Sequence, residues 1–114
     1  MDDIRDLLTQ LSEILARYDY DERASFVRGV AERPAQDDDF WQTLAGLEFW
    51  GGSGAVWEIG PFHMTDPTIA MPLSDYRRFK ALMVELADIL DSKGLGAQAS
   101  GIAEVFRSDL EAGS

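Results

Sequence analysis

Ile4-Arg5-Asp6-Leu7-Leu8-Thr9-Gln10-Leu11-Ser12-Glu13-Ile14-Leu15-Ala16-Arg17-Tyr18 repeats its apolar residues at helical spacing. Ile4, Leu7, Leu8, Leu11, Leu15 and Tyr18 fall three or four positions apart, so a helix gathers them on one face. Asp2 and Asp3 precede this stripe as N-cap and first-turn acid, where carboxylates meet unsatisfied N–H groups and the positive end of the helix dipole. The spacing predicts a helix over residues 3–17. One greasy face on one helix requires another to cover it.

Further stripes follow on both sides of the middle of the chain. Tyr18-Asp19-Tyr20-Asp21 interrupts the first helix, and Asp19 or Asp21 is placed to cap a second that carries Ala24, Val27, Val30 and Ala31 and stops at Pro34. Asp37-Asp38-Asp39 opens a third helix with Phe40, Trp41, Leu44 and Leu47 on its inner side. These adjacent acids lack the spaced oxygen ligands and turn glycine of a calcium loop, so they read as a cap and first turn. Beyond the middle, Ser74 reads as an N-cap. Tyr76, Phe79, Leu82, Met83, Leu86 and Leu90 form the next stripe, and Gly94 sits at its C′ position. A last helix over residues 96–110 is expected to bury Ile102, Val105, Phe106 and Leu110.

The segment between Glu48 and Ser74 has a different character. It holds Gly51, Gly52, Gly54, Gly60, Pro61, Pro67 and Pro72 and shows no sustained period. Val56-Trp57-Glu58-Ile59 and Thr68-Ile69-Ala70 have the composition of a short two-stranded hairpin, with a turn at Asp66-Pro67. The fold class that results is mainly α: a bundle of four to five helices with a central Gly/Pro-rich insert in which that hairpin is an option. At 114 residues the chain suits a single domain, 1–114, with enough length for a core.

Charge narrows the function classes. Twenty-one acids against ten bases give a net charge of −11. That balance repels nucleic-acid phosphates and anionic lipid and attracts basic partners. No apolar run reaches the length of a membrane span, and the acidic Met1-Asp2-Asp3-Ile4-Arg5-Asp6 start is unlike a secretory leader. With no cysteine in the chain, the expectation is a cytoplasmic protein. One histidine and no cysteine give no ordinary zinc site, and no cofactor is expected.

Phe49-Trp50-Gly51-Gly52-Ser53-Gly54-Ala55-Val56-Trp57-Glu58 is the densest constellation, and three readings compete for it. A phosphate cradle requires cationic help, yet no lysine or arginine stands between Arg33 and Arg77 and two glutamates bracket the loop. A nucleophile elbow requires glycine two positions on either side of Ser53. Gly51 satisfies the first but Ala55 fails the second, and His63 is the only imidazole available as base. The third reading is structural: the glycines turn the chain against its own bundle, and Phe49, Trp50, Trp57 and Phe62 cover the crossing. Adjacent Phe49 and Trp50 do not share a helical face, so one of them is expected to lie partly open.

On Trp50, Gly51, Gly52, Gly54, Ala55, Val56 and Glu58 the chain resembles an uncharacterised family of short bacterial helical proteins with an aromatic-Gly-Gly-x-Gly-Ser/Ala centre. Ala55 stands where serine is more usual, and Glu58 where aspartate is. The resemblance implies no catalytic residues. In size, acidity and helicity the chain is also loosely similar to bacterial toxin-immunity proteins, which implies inhibition of a co-produced basic toxin.

The sequence therefore points to a non-enzymatic acidic binding protein, an immunity-type inhibitor of a basic toxin or other basic protein. Acids steer the encounter and aromatics anchor the complex, with Asp37, Asp38, Asp39, Trp41, Trp50 and Trp57 as the partner-binding candidates. The alternatives are a small hydrolase-like enzyme using Ser53 and His63, or a self-associating structural module. The sequence leaves monomer and homodimer equally open.

Overall fold

A computed structural model describes residues 3–18, 20–33, 37–51, 56 and 73–111, and they form a helical bundle. In chain order the helices are α1 (Asp3–Arg17), α2 (Asp21–Ala31), α3 (Asp38–Leu44), α4 (Leu47–Trp50), α5 (Leu73–Ser92) and α6 (Ser100–Glu111). The described residues include no strand. Val56 lies in a turn, and the remaining positions of the expected hairpin, Trp57 to Ile59 and Thr68 to Ala70, lie outside the described residues.

α1 occupies the bounds its stripe predicts, and its apolar face is covered from two sides, by α2 and by α5. Ile4, Leu7, Leu8, Leu11 and Leu15 are buried as expected, and Ile14 joins them. Full burial stabilises each such side chain by roughly 1.5–3 kcal/mol, which makes this face a large source of cohesion. Ser12 is buried within it, and its hydroxyl donates to the Thr9 carbonyl at 2.8 Å, so no polar group is left unpaired.

The turn from α1 to α2 is fixed by one carbonyl. The Leu15 oxygen accepts from the N–H groups of Tyr18 at 3.3 Å and Tyr20 at 2.9 Å. This pins Tyr20 at the N-cap of α2, where its own carbonyl takes the Ala24 N–H at 2.8 Å. Of the two aspartates expected as caps, Asp21 is corrected: it is already in the first helical turn, and Tyr20 at the N-cap makes no side-chain cap bond. Asp19 lies outside the described residues.

A polar clamp ties the end of α1 to the start of α5. The Tyr18 hydroxyl donates to Asp75 Oδ2, and Arg17 Nη1 reaches the same oxygen at 3.3 Å. The Tyr18 hydrogen bond, aided by Arg17, holds the Asp75 carboxyl below its ordinary range although partial desolvation opposes this. Ser74 lies inside the first turn of α5, one residue after the helix begins, so it is not the N-cap that the sequence suggests.

The C-terminal end of α5 follows its sequence signal closely. Gly94 adopts a φ of 74°, its N–H donates to the Asp91 carbonyl at 3.0 Å, and the Leu95 N–H donates to the Leu90 carbonyl at 2.8 Å. These are the paired bonds of a Schellman cap, and half-buried Leu95 packs on the core that holds Leu90. Gly96 then passes so close to Asp91 that a Cβ would lie 3.1 Å from its Cα.

α6 starts later than expected, at Ser100, after a turn through Ala99. It packs on α5 through Ala103 and Phe106, with the Phe106 ring edge-on to Phe79 at 6.3 Å. Ile102 and Leu110 are half-buried, but Val105 is 59% exposed, which corrects its placement in the core. The α5–α6 seam also encloses Lys80, only 3% exposed, whose ammonium lies 3.6 Å from Asp109 and 4.6 Å from the centre of the Tyr76 ring. Burial, with Asp109 nearby, pushes the Tyr76 hydroxyl pKa upward.

Two stability measurements test this account. Gly94→Ala places a Cβ at positive φ, so urea denaturation is expected to show a loss of about 1 kcal/mol; an unchanged midpoint would contradict the cap. The depressed pKa of Asp75 contributes stability that is present above its ordinary value of 3.8 and is lost as pH falls through the lower folded value. Tyr18→Phe removes the main cause, so the carboxyl titration followed by NMR is expected to move up in pH, and the acid-induced loss of stability with it. An Asp75 titration identical in both proteins would show that the clamp does not form.

Candidate functional site

The acidic triplet begins the shorter arm of the bundle. Asp37 is extended, with φ −77° and ψ 135°, and stands at the N-cap of α3, while Asp38 and Asp39 occupy its first turn. All three side chains are exposed. The Asp37 carbonyl accepts the Phe40 N–H at 3.2 Å, but no side chain makes a cap hydrogen bond. Their placement at the helix start is as read from sequence; the carboxylates themselves are spent on the field around α3 and not on a cap bond.

Behind the triplet the chain breaks where the sequence suggests continuity. α3 ends at Leu44, Gly46 donates to the Thr43 carbonyl at 3.2 Å, and Leu47 begins the separate turn α4. A Cβ at Gly46 would lie 3.2 Å from the Gln42 carbonyl oxygen, so this corner favours glycine. The break changes the direction of the chain after Phe40 and Leu44 are buried, and it carries Phe49 and Trp50 back into the core. Phe49 meets the Phe26 ring of α2 at 5.5 Å.

Trp50 corrects the sequence reading. It is 3% exposed, and its indole N–H donates to the Leu44 carbonyl at 2.7 Å. Phe49 is buried as well, so neither neighbour is open. Beside this turn the buried Val56 donates its N–H to the Glu48 carbonyl at 2.9 Å. Trp50 is a structural residue, not a surface anchor.

Trp41 is placed differently. It is half-buried and lies edge-on to Phe40 at 5.0 Å, and the Lys93 ammonium sits over its ring, 4.3 Å from the centre. The contact joins α3 to the segment just after α5. Lys93 has no sequence signal as a partner of Trp41, since only the closed bundle makes them neighbours. Arg33 adds a second tether to this arm, with its guanidinium 3.2 Å from the Thr43 hydroxyl.

Of the remaining candidates, Trp57, Ser53 and His63 lie outside the described residues, as does the glycine block from Gly52 to Ala55. Among the described residues no three acidic or histidine side chains gather as metal ligands. An open groove between α1 and α5 is lined by Gln10, Arg78, Leu82, Val84, Glu85 and Asp88. Arg78 donates to Gln10 across it, and Asp88 pairs with Arg107 at 2.6 Å, so its charges are largely satisfied within the chain. No helix among the described residues is long and apolar enough to cross a membrane. No protein-family model, curated protein or solved structure matches the chain.

The geometry thus brings Asp37, Asp38, Asp39 and Trp41 together on one short helix and removes Trp50 from the set. Trp50→Phe is expected to destabilise the fold by about 1–3 kcal/mol from the unpaired Leu44 carbonyl alone, read by urea denaturation. A change near zero would mean that this carbonyl finds water in the folded state.

Proposed function

We propose that the protein is a non-enzymatic acidic binding protein that inhibits or sequesters a basic protein, in the manner of an immunity protein acting on its toxin. The observation that carries this reading is the exposed Asp37-Asp38-Asp39 run beside the half-exposed Trp41. Exposed carboxylates on a chain of net charge −11 raise the encounter rate with a cationic surface, and an aromatic beside them supplies desolvated contact once the partner has arrived. The division of labour is kinetic. Rim charges act on association, whereas the aromatic acts on dissociation.

Affinity capture from the source cell, with identification of the recovered protein and measurement of its binding rates, tests the proposal. The expected partner is basic, its association rate falls as salt rises, and co-expression with this chain relieves any toxicity it has. Asp37→Asn, Asp38→Asn and Asp39→Asn combined are expected to slow association by about three- to tenfold while changing dissociation little. Recovery of no basic partner, or association insensitive to both salt and the triple substitution, would overturn it.

A further inference from the structure

Trp41 is the one tryptophan among the described residues that is only half-buried, and a cation already lies on it. We infer that the Trp41 ring face is a docking position for an arginine side chain of the basic partner, and that Lys93 occupies it as a place-holder in the free protein. This rests on the acidic-binder reading above and adds to it the identity of the group recognised.

The ring is held firmly while the cation over it is not. Trp41 projects from α3 beside Phe40, whose edge-on packing fixes the indole against the core. Lys93 is anchored only through its backbone: its N–H donates to the Leu90 carbonyl at 3.0 Å, and the Schellman cap at Gly94 follows at once. From that fixed point an exposed four-carbon stem reaches to the ring, so the ammonium leaves without moving any helix. A quadrupolar aromatic face prefers a cation to water, and a planar, weakly hydrated guanidinium stacks on tryptophan better than an ammonium does. Charge complementarity selects the occupant. The ring shares its helix with Asp37, Asp38 and Asp39, which attract an incoming arginine and repel an acidic one.

The test uses the full chain with a hexa-arginine peptide, at physiological salt. Binding is measured by calorimetry and the Trp41 indole N–H is followed by NMR. The Trp41 resonance is expected to shift on binding, and hexa-lysine to bind more weakly. Lys93→Gln removes the resident cation from the ring and is expected to tighten hexa-arginine about two- to fivefold. Arg28→Gln, the same charge change at an exposed position on α2, is expected to have a clearly smaller effect. In a Trp41→Leu background the gain from Lys93→Gln disappears; if that variant fails to fold, Trp41→Phe is expected to shrink the gain in proportion to its weaker ring field.

Absence of hexa-arginine binding, an unmoved Trp41 resonance at saturation, or equal effects of Lys93→Gln and Arg28→Gln overturns the inference. Any of these results alongside a captured basic partner with salt-dependent association removes only the Trp41 assignment. Failure to capture such a partner removes the broader reading, whatever the peptide does.

Discussion

The apolar face of α1 is the constraint on which the rest of this fold depends. A helix that presents Leu7, Leu8, Leu11, Ile14 and Leu15 to one side has no stable existence in water alone, and no single neighbour covers so wide a stripe. The bundle meets this with two partners. α2 is folded back over α1 by the shared Leu15 carbonyl, and α5 is held at its other flank by the Tyr18–Asp75 clamp. With α5 in place, α6 closes the far side through Phe106, and α3 and α4 hang from α2 with Phe40, Phe49 and Trp50 turned inward. Polar interactions in this arrangement set angles and ends, while burial supplies the cohesion.

Much of that architecture was legible in the residues, for identifiable reasons. The α1 and α5 stripes are long and strongly periodic, so their faces follow from spacing, and the glycine that ends α5 announces its own positive φ. Legibility fails where small residues or distant contacts decide. Ala99 and Ala103, which carry little hydrophobic signal, set the inward face of α6, and Val105 is consequently turned outward. The α3–α4 break depends on a close backbone approach at Gly46 that a hydrophobic pattern running from Phe40 to Leu47 conceals. Trp50 is buried with its indole N–H on the Leu44 carbonyl, a contact across the α3–α4 corner that no local spacing encodes.

The candidate surface divides in the same way. Three consecutive aspartates before an apolar run are a sequence-level signal for a helix start, and their exposure follows from their charge. The distinction between Trp41 and Trp50 is not available at that level, since each is the second residue of a Phe-Trp pair in a helix. It arises from packing: one indole finds a backbone carbonyl inside the core, the other a cation at its edge. The first is thereby committed to stability. The second stays half-exposed at the edge of the bundle.

The chain has two lysines, and the fold treats them oppositely. Lys93 is exposed at the end of α5, whereas Lys80 is sealed in the α5–α6 seam against Tyr76 and Asp109. An amine-directed acylating reagent therefore meets the first side chain in the intact molecule and the second only when the packing around it opens. Reactivity at Lys80 becomes a built-in clock for local opening of the bundle, readable by mass spectrometry without introducing any label into the sequence.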